Sequence, residues 1–119
     1  MNHEHIIREY YRRVDKGDLD WVLDLFADNS EYTRADACYA SKAEIEAFYR
    51  RQRKIAGVHT LEHLYQSGET VIVDGCFDGK GADGSEKHVG FADFWQFDPD
   101  GRVANRRTYL ALGSQVVRD

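Results

Sequence analysis

Asp93 stands in a row of side chains otherwise free of charge. Reading every second residue from Val89 gives Phe91, Asp93, Trp95 and Phe97, and alternate side chains of a strand share one face. A carboxylate on a buried face loses hydration, so it must find a partner or carry a proton. Left without a cation, such a group acts as a general acid, a general base or a proton-bearing donor. Two other readings stay open: Asp93 pairs with an arginine and orders the sheet, or the row lies on a dimer face.

Three further polar residues could join it. Arg34 and Asp36 lie two apart on an early strand candidate and share a face with Tyr32, an arrangement that fits either a pocket mouth or a surface ion pair. His59 follows the junction between a helix and a strand, where it is a reserve acid or base or a histidine satisfied elsewhere. His59 and His63 have the spacing of a helical zinc pair, but in a strand four residues span roughly 13 Å. Zinc holds its nitrogen ligands at about 2 Å, so no metal site is expected. His88 falls on the opposite face from Asp93. The chain holds no GxSxG, phosphate loop or nucleotide fingerprint, and no cofactor is expected.

The elements that must position these residues are legible as a change of period. Ile6, Ile7, Tyr10, Tyr11 and Val14 recur at helical spacing, which predicts a helix over 3–15 ended by Gly17. Asp18 caps a second short helix carrying Trp21, Val22, Leu25 and Phe26, and Asp28-Asn29-Ser30 breaks it before a strand over 31–36. Ser41-Lys42-Ala43-Glu44 matches a capping box. It opens a third helix, with Ile45, Phe48, Tyr49, Gln52 and Ile55 inward and Gly57 at its end. From Val58 the period becomes two, predicting strands at 58–66, 69–78, 86–97 and 102–112. Helices followed by an antiparallel run give an α+β order. The expected architecture is one domain over 1–119, a cone-shaped open barrel with three N-terminal helices on a curved, mainly antiparallel sheet and a pocket between them.

Composition narrows the function classes. The 119 residues carry a net charge of −5, and 13% are aromatic. An acidic chain without clustered cations does not suit nucleic acid, and aromatic side chains fill a core or line an apolar pocket. The basic residues among Arg12, Arg13, Arg50, Arg51, Arg53 and Lys54 read as solvated helix faces. Cys38 and Cys76, without a CxxC pair or signal peptide, suggest a reducing cytoplasm. No apolar run reaches the length of a membrane span.

Two segments carry a family resemblance. Tyr10 to Leu19 followed by Leu25-Phe26-Ala27-Asp28-Asn29, and Phe91 to Phe97 followed by Asp100-Gly101-Arg102-Val103, resemble ketosteroid isomerase and the SnoaL-like polyketide cyclases of the NTF2-like superfamily. The resemblance implies a cone-shaped fold and a homodimer through the sheet's outer face, whose rows include Ile72, Cys76 and Phe94. It places Tyr10 at the oxyanion-hole tyrosine and Asp93 at the protonated aspartic acid of the isomerases, or at the acid/base of the cyclases. It sets Arg34 where the isomerases carry their general base, and an arginine cannot abstract a proton at neutral pH. In limonene-epoxide-hydrolase relatives the corresponding acidic and basic positions are filled here by Gly75, Phe77 and Thr108, which disfavours epoxide hydrolysis.

The expectation is therefore a cofactor-free isomerase or aldol-type cyclase acting on a small apolar carbonyl compound, such as a polyketide or steroid-like molecule. Asp93, Tyr10, Arg34 and His59 would carry the chemistry. Trp21, Tyr32, Asp36, Phe91, Trp95 and Thr108 would bind the substrate. The alternative from another class is a non-catalytic ligand-binding or dimerisation module of the same fold.

Overall fold

The computed structural model describes residues 2–111. Helix α1 (Glu4–Asp15) buries Ile7, Tyr10, Tyr11 and Val14 along one stripe. Gly17, at φ 77°, turns the chain out of the helix, a left-handed conformation that glycine adopts without a β-carbon penalty. The Asp18 side chain then accepts the Trp21 backbone N–H at 3.4 Å and caps α2 (Leu19–Asp24).

The predicted breaker at Asp28–Ser30 lies inside β1 (Phe26–Arg34), so Phe26 belongs to a strand and not to the second helix. A tight turn through Ala35 and Asp36 returns the chain as β2 (Ala37–Tyr39), a strand the sequence pattern does not reveal. The Ser41 hydroxyl accepts the Glu44 N–H at 3.2 Å to start α3 (Lys42–Ala47). The expected continuation to Gly57 does not occur. Helix α3 instead widens into a π turn over Phe48–Gln52, closed by the Arg53 N–H on the Phe48 carbonyl at 2.8 Å. The wider turn buries the consecutive residues Phe48 and Tyr49, while Gln52 is exposed, not inward.

Strands β3 (Ala56–Ser67), β4 (Thr70–Lys80), β5 (Glu86–Phe97) and β6 (Val103–Ala111) complete the sheet close to the expected bounds. The predicted last position, Leu112, lies outside the described residues. Strand order is β2-β1-β6-β5-β4-β3, with every neighbouring pair antiparallel except β1 and β6. The helices pack on one face, around Trp95, Phe26, Tyr32, Ile7 and Ile45, all almost wholly buried. No helix among the described residues is long and apolar enough to cross a membrane.

A bulge in β3 between Leu61 and His63 reverses the strand's facing. His59 and Leu61 therefore lie with the half-buried row, whereas His63 is exposed and bonded to Asp74 at 2.9 Å. His88 is likewise exposed and bonded to Asp78. Opposite the bulge stands Gly75, where a β-carbon would overlap the Thr60 carbonyl oxygen and press on Leu61. Because the obstacle is backbone, it cannot swing aside. Gly75→Ala is expected to cost about 1–3 kcal/mol, read as a lower urea midpoint at unchanged slope; a midpoint equal to wild type would show that the two strands can separate freely here.

Candidate functional site

A cavity of about 230 Å³ opens between α1, the π turn and the concave face of the sheet. Seven of the ten residues expected from sequence contribute to its wall: Tyr10 from α1, Tyr32 and Arg34 from β1, His59 from β3, Phe91 and Asp93 from β5, and Thr108 from β6. The other three lie elsewhere. Trp21 packs under the Arg13 guanidinium on the outside of α2, 5.3 Å from ring centre to cation. Asp36 is exposed in the turn after β1, because that strand ends two residues earlier than expected. Trp95 shares the face of Asp93 but is fully buried behind the wall, where its indole N–H donates to the Tyr11 hydroxyl at 3.1 Å.

Asp93 is 1% exposed and surrounded by donors. Arg106, from β6, reaches its two oxygens through Nε at 3.3 Å and a terminal nitrogen at 3.0 Å. The Tyr11 hydroxyl donates to Oδ2 and the Thr108 hydroxyl to Oδ1. Thr108 in turn accepts the Tyr32 hydroxyl proton, the oxygens being 3.1 Å apart. A carboxylate saturated in this way has no lone pair aimed at a ligand. These bonds match the second reading of Asp93, a carboxylate paired with an arginine. The partner is Arg106 and not Arg34, whose guanidinium lies over the Phe48 ring at 5.7 Å.

Arg106 is itself 5% exposed and sits over the rings of Tyr10, Tyr32 and Trp95 at 4.9, 4.6 and 4.3 Å. Burial opposes its charge, but the attraction of Asp93, aided by the surrounding tyrosines, outweighs that and holds its pKa well above the ordinary arginine range. Its remaining terminal nitrogen donates to the hydroxyls of both Tyr10 and Tyr49 at 2.7 Å. Those two hydroxyl oxygens lie 2.5 Å apart.

Burial raises the pKa of Tyr10 and pushes that of Tyr49 well above the usual phenol value, so both hold their protons at neutral pH. One proton fills the bond between them, and the second has no acceptor among the described residues. Both rings line the cavity. The pair therefore offers a ligand oxygen one phenolic proton, with the Arg106 cation behind it.

A second hydrogen-bonded pair at the cavity comes from the end of α1. Asp15, its last residue, accepts the His59 backbone N–H through Oδ2 at 2.8 Å and meets the ring Nδ1 through Oδ1 at 2.5 Å. Since a carboxylate only accepts, Nδ1 carries the ring proton. Nε2 has no hydrogen-bond partner among the described residues. The imidazole is steadied by the rings of Phe77, Tyr11 and Phe91 at 4.9, 5.2 and 5.4 Å.

Asp15, Tyr49 and Arg106 are not marked as site residues by the sequence pattern. Tyr49 was readable as an inward position of the third helix but not as a donor. Arg106 shares strand parity with Thr108 and Leu110, a signal hidden by the neighbouring Arg102 and Arg107. Asp15 reads as an ordinary polar helix end.

The buried pair makes a stability test. Arg106→Met strands the Asp93 charge and is expected to cost about 3–5 kcal/mol, whereas adding Asp93→Leu should recover part of that loss. Urea denaturation of the two single variants and the double variant measures the coupling; strictly additive losses would show that the two residues act independently.

The comparisons with known proteins agree with this architecture. Among solved structures, an NTF2-like protein of unknown function from Burkholderia pseudomallei superposes with a TM-score of 0.82 at 21% identity, over 93% of this chain and 92% of that one. The epoxide hydrolase/cyclase-like enzyme SalBIII, of pyran ring formation in the polyether salinomycin, gives 0.81 at 17% identity, over 92% and 91%. An LEH-like epoxide hydrolase from M. tuberculosis gives 0.77 at 15% identity, over 89% and 80%. At these identities the likeness is one of fold. No curated protein matches the chain. The description of the SnoaL-like domain matches residues 7–106, nearly the whole described fold, and on that match the chain belongs to the SnoaL-like domain family.

Proposed function

We propose that this protein is an acid/base enzyme of the isomerase or cyclase kind, acting on a small apolar carbonyl compound. The observation that carries the reading is the presence, in one cavity, of an imidazole held by Asp15 with its Nε2 unpartnered among the described residues and of an uncommitted phenolic proton. His59 Nε2 would remove a proton from the carbon next to a carbonyl, and Asp15 would stabilise the imidazolium that forms. The Tyr10–Tyr49 pair would donate to the oxygen as it gains enolate charge, where a preorganised donor is worth most. The imidazolium then returns the proton to another carbon in an isomerisation. In a cyclisation the enolate carbon instead attacks a second carbonyl of the same molecule, and the new alkoxide takes up the proton. Asp93 and Arg106 position the donors and take no proton.

The cavity volume narrows the substrate. At about 230 Å³ it falls below the roughly 300–1,000 Å³ usual for drug-sized ligands, which favours a compact one- or two-ring compound over a steroid-like polycycle. Deuterium uptake beside the carbonyl of β-tetralone, followed by NMR, tests the chemistry. His59→Gln is expected to slow uptake about 10²–10⁴-fold, and uptake at the wild-type rate would remove His59 as the base. Tyr10→Phe and Tyr49→Phe should each lose little, because the surviving phenol regains a free proton. The double variant should lose about 10²–10³-fold, and equal losses in single and double variants would contradict the shared-proton account.

We also propose a homodimer through the outer sheet face. Tyr65, Ile72 and Phe94 align across β3, β4 and β5, and Phe94 meets the exposed Tyr109 edge-on at 5.8 Å. Light scattering behind size exclusion should give twice the chain mass for wild type and the single-chain mass for Phe94→Glu; a monomeric wild type at micromolar concentration would refute the interface.

A further inference from the structure

Deep in the cavity the charges of Asp93 and Arg106 are paired, whereas its mouth is cationic. Arg34, Arg53 and Lys87 line the cavity, and the shallow outer recess that continues it adds Lys54. Against these four cations the recess holds one carboxylate, Asp83. Asp83 is held below its ordinary pKa chiefly by Ser85, and Lys87 contributes only at a distance. None of the four cations makes an ion pair among the described residues. Unpaired cations also occur singly on the surface among the described residues, as at Lys16 and Lys42; the mouth differs in that Arg34, Arg53 and Lys87 line one cavity whose own carboxylate, Asp93, is already paired with Arg106.

The mouth cations are also placed by the fold. Arg34 ends β1 and is stacked on Phe48. Arg53 follows the π turn, with a guanidinium N–H directed to the Ile55 carbonyl at 3.5 Å. Its charge acts on Tyr10 and Tyr49, so the mouth and the donor pair share one electrostatic field. Inside, the charges of Asp93 and Arg106 cancel each other, and nothing in the wall balances the cations at the entrance.

We infer that the mouth is an anion-binding collar, and that the physiological ligand is an organic anion: an apolar body lying in the cavity, with a carboxylate-sized anionic group held among Arg34, Arg53 and Lys87. Arginine suits such a group because its planar fork can donate two parallel bonds to one carboxylate. The inference rests on the cavity being the ligand site proposed above, and not on the chemistry assigned to His59.

Calorimetric titration of the whole protein with β-naphthoate and its neutral isostere β-naphthamide tests it. The carboxylate is expected to bind at least about tenfold more tightly, a difference of about 1.4 kcal/mol. That preference should shrink in 1 M salt, where the screening length falls to about 3 Å. Arg34→Gln, Arg53→Gln and Lys87→Gln should each reduce the preference, whereas Arg51→Gln, exposed on the same turn and outside the cavity wall, should keep it. Circular dichroism establishes that each variant is folded, and three independent positions guard against one that is not. Equal affinity for the two probes overturns the inference, as does failure to bind either. Selective binding without deuterium exchange would sustain the collar and defeat the enzyme reading; exchange on β-tetralone with equal probe affinities would do the reverse.

Discussion

The ion pair between Asp93 and Arg106 is the constraint on which the interior depends. Taking two charges out of water is costly, and the attraction offsets that cost only when the remaining donors and acceptors are satisfied. Here they are supplied by every layer of the fold. Tyr11 and Tyr10 come from α1, Tyr49 from the π turn, and Thr108 and Arg106 from β6. The pair thus fixes where the first helix and the π turn meet the sheet. Apolar side chains could fill the same volume, but they would not direct two phenols at one point. The polar core is a device for orientation, with stability as its condition.

The π turn has a comparable role at the cavity's edge. A regular helix would have spaced Tyr49 and Arg53 on successive turns of one stripe. The wider turn separates their tasks, leaving Tyr49 buried against Arg106 and Arg53 half-buried at the entrance. Such turns recur where a helix must re-aim side chains for function. Ala35, at φ 52° in the turn after Arg34, is a second departure from regular backbone on the same rim.

The parts of this fold that were legible in sequence are those decided by local pattern. Val89, Phe91, Trp95 and Phe97 alternate so cleanly that β5 matches its expected bounds at both ends. Asp18 and Ser41 cap the helices they were expected to cap. What the pattern could not supply was any pairing over distance. Leu25 and Phe26 continue a helical spacing, and only the partnership of Phe26 with Val103 makes Phe26 a strand residue. The same holds for the site: a buried Asp93 was readable from its row, but the cation that quenches it lies on another strand among similar arginines. His59 was readable as a candidate, while its orienting partner Asp15 lies 44 positions earlier.

The parallel contact between β1 and β6 carries a consequence for how the chain is made. Strands β3 to β6 form successive hairpins that can zip locally, but β1 pairs with a strand some seventy positions later. Contacts of that separation form slowly, because a long loop must close before they are rewarded. On the ribosome, α1, α2 and β1 emerge first and have no strand to lie against until β6 follows. Asp15 lacks His59 until β3 emerges, and Tyr10 lacks Arg106 until β6 does. The cavity wall is complete only once β6 is in place, because Arg106, Thr108 and Leu110 come from it.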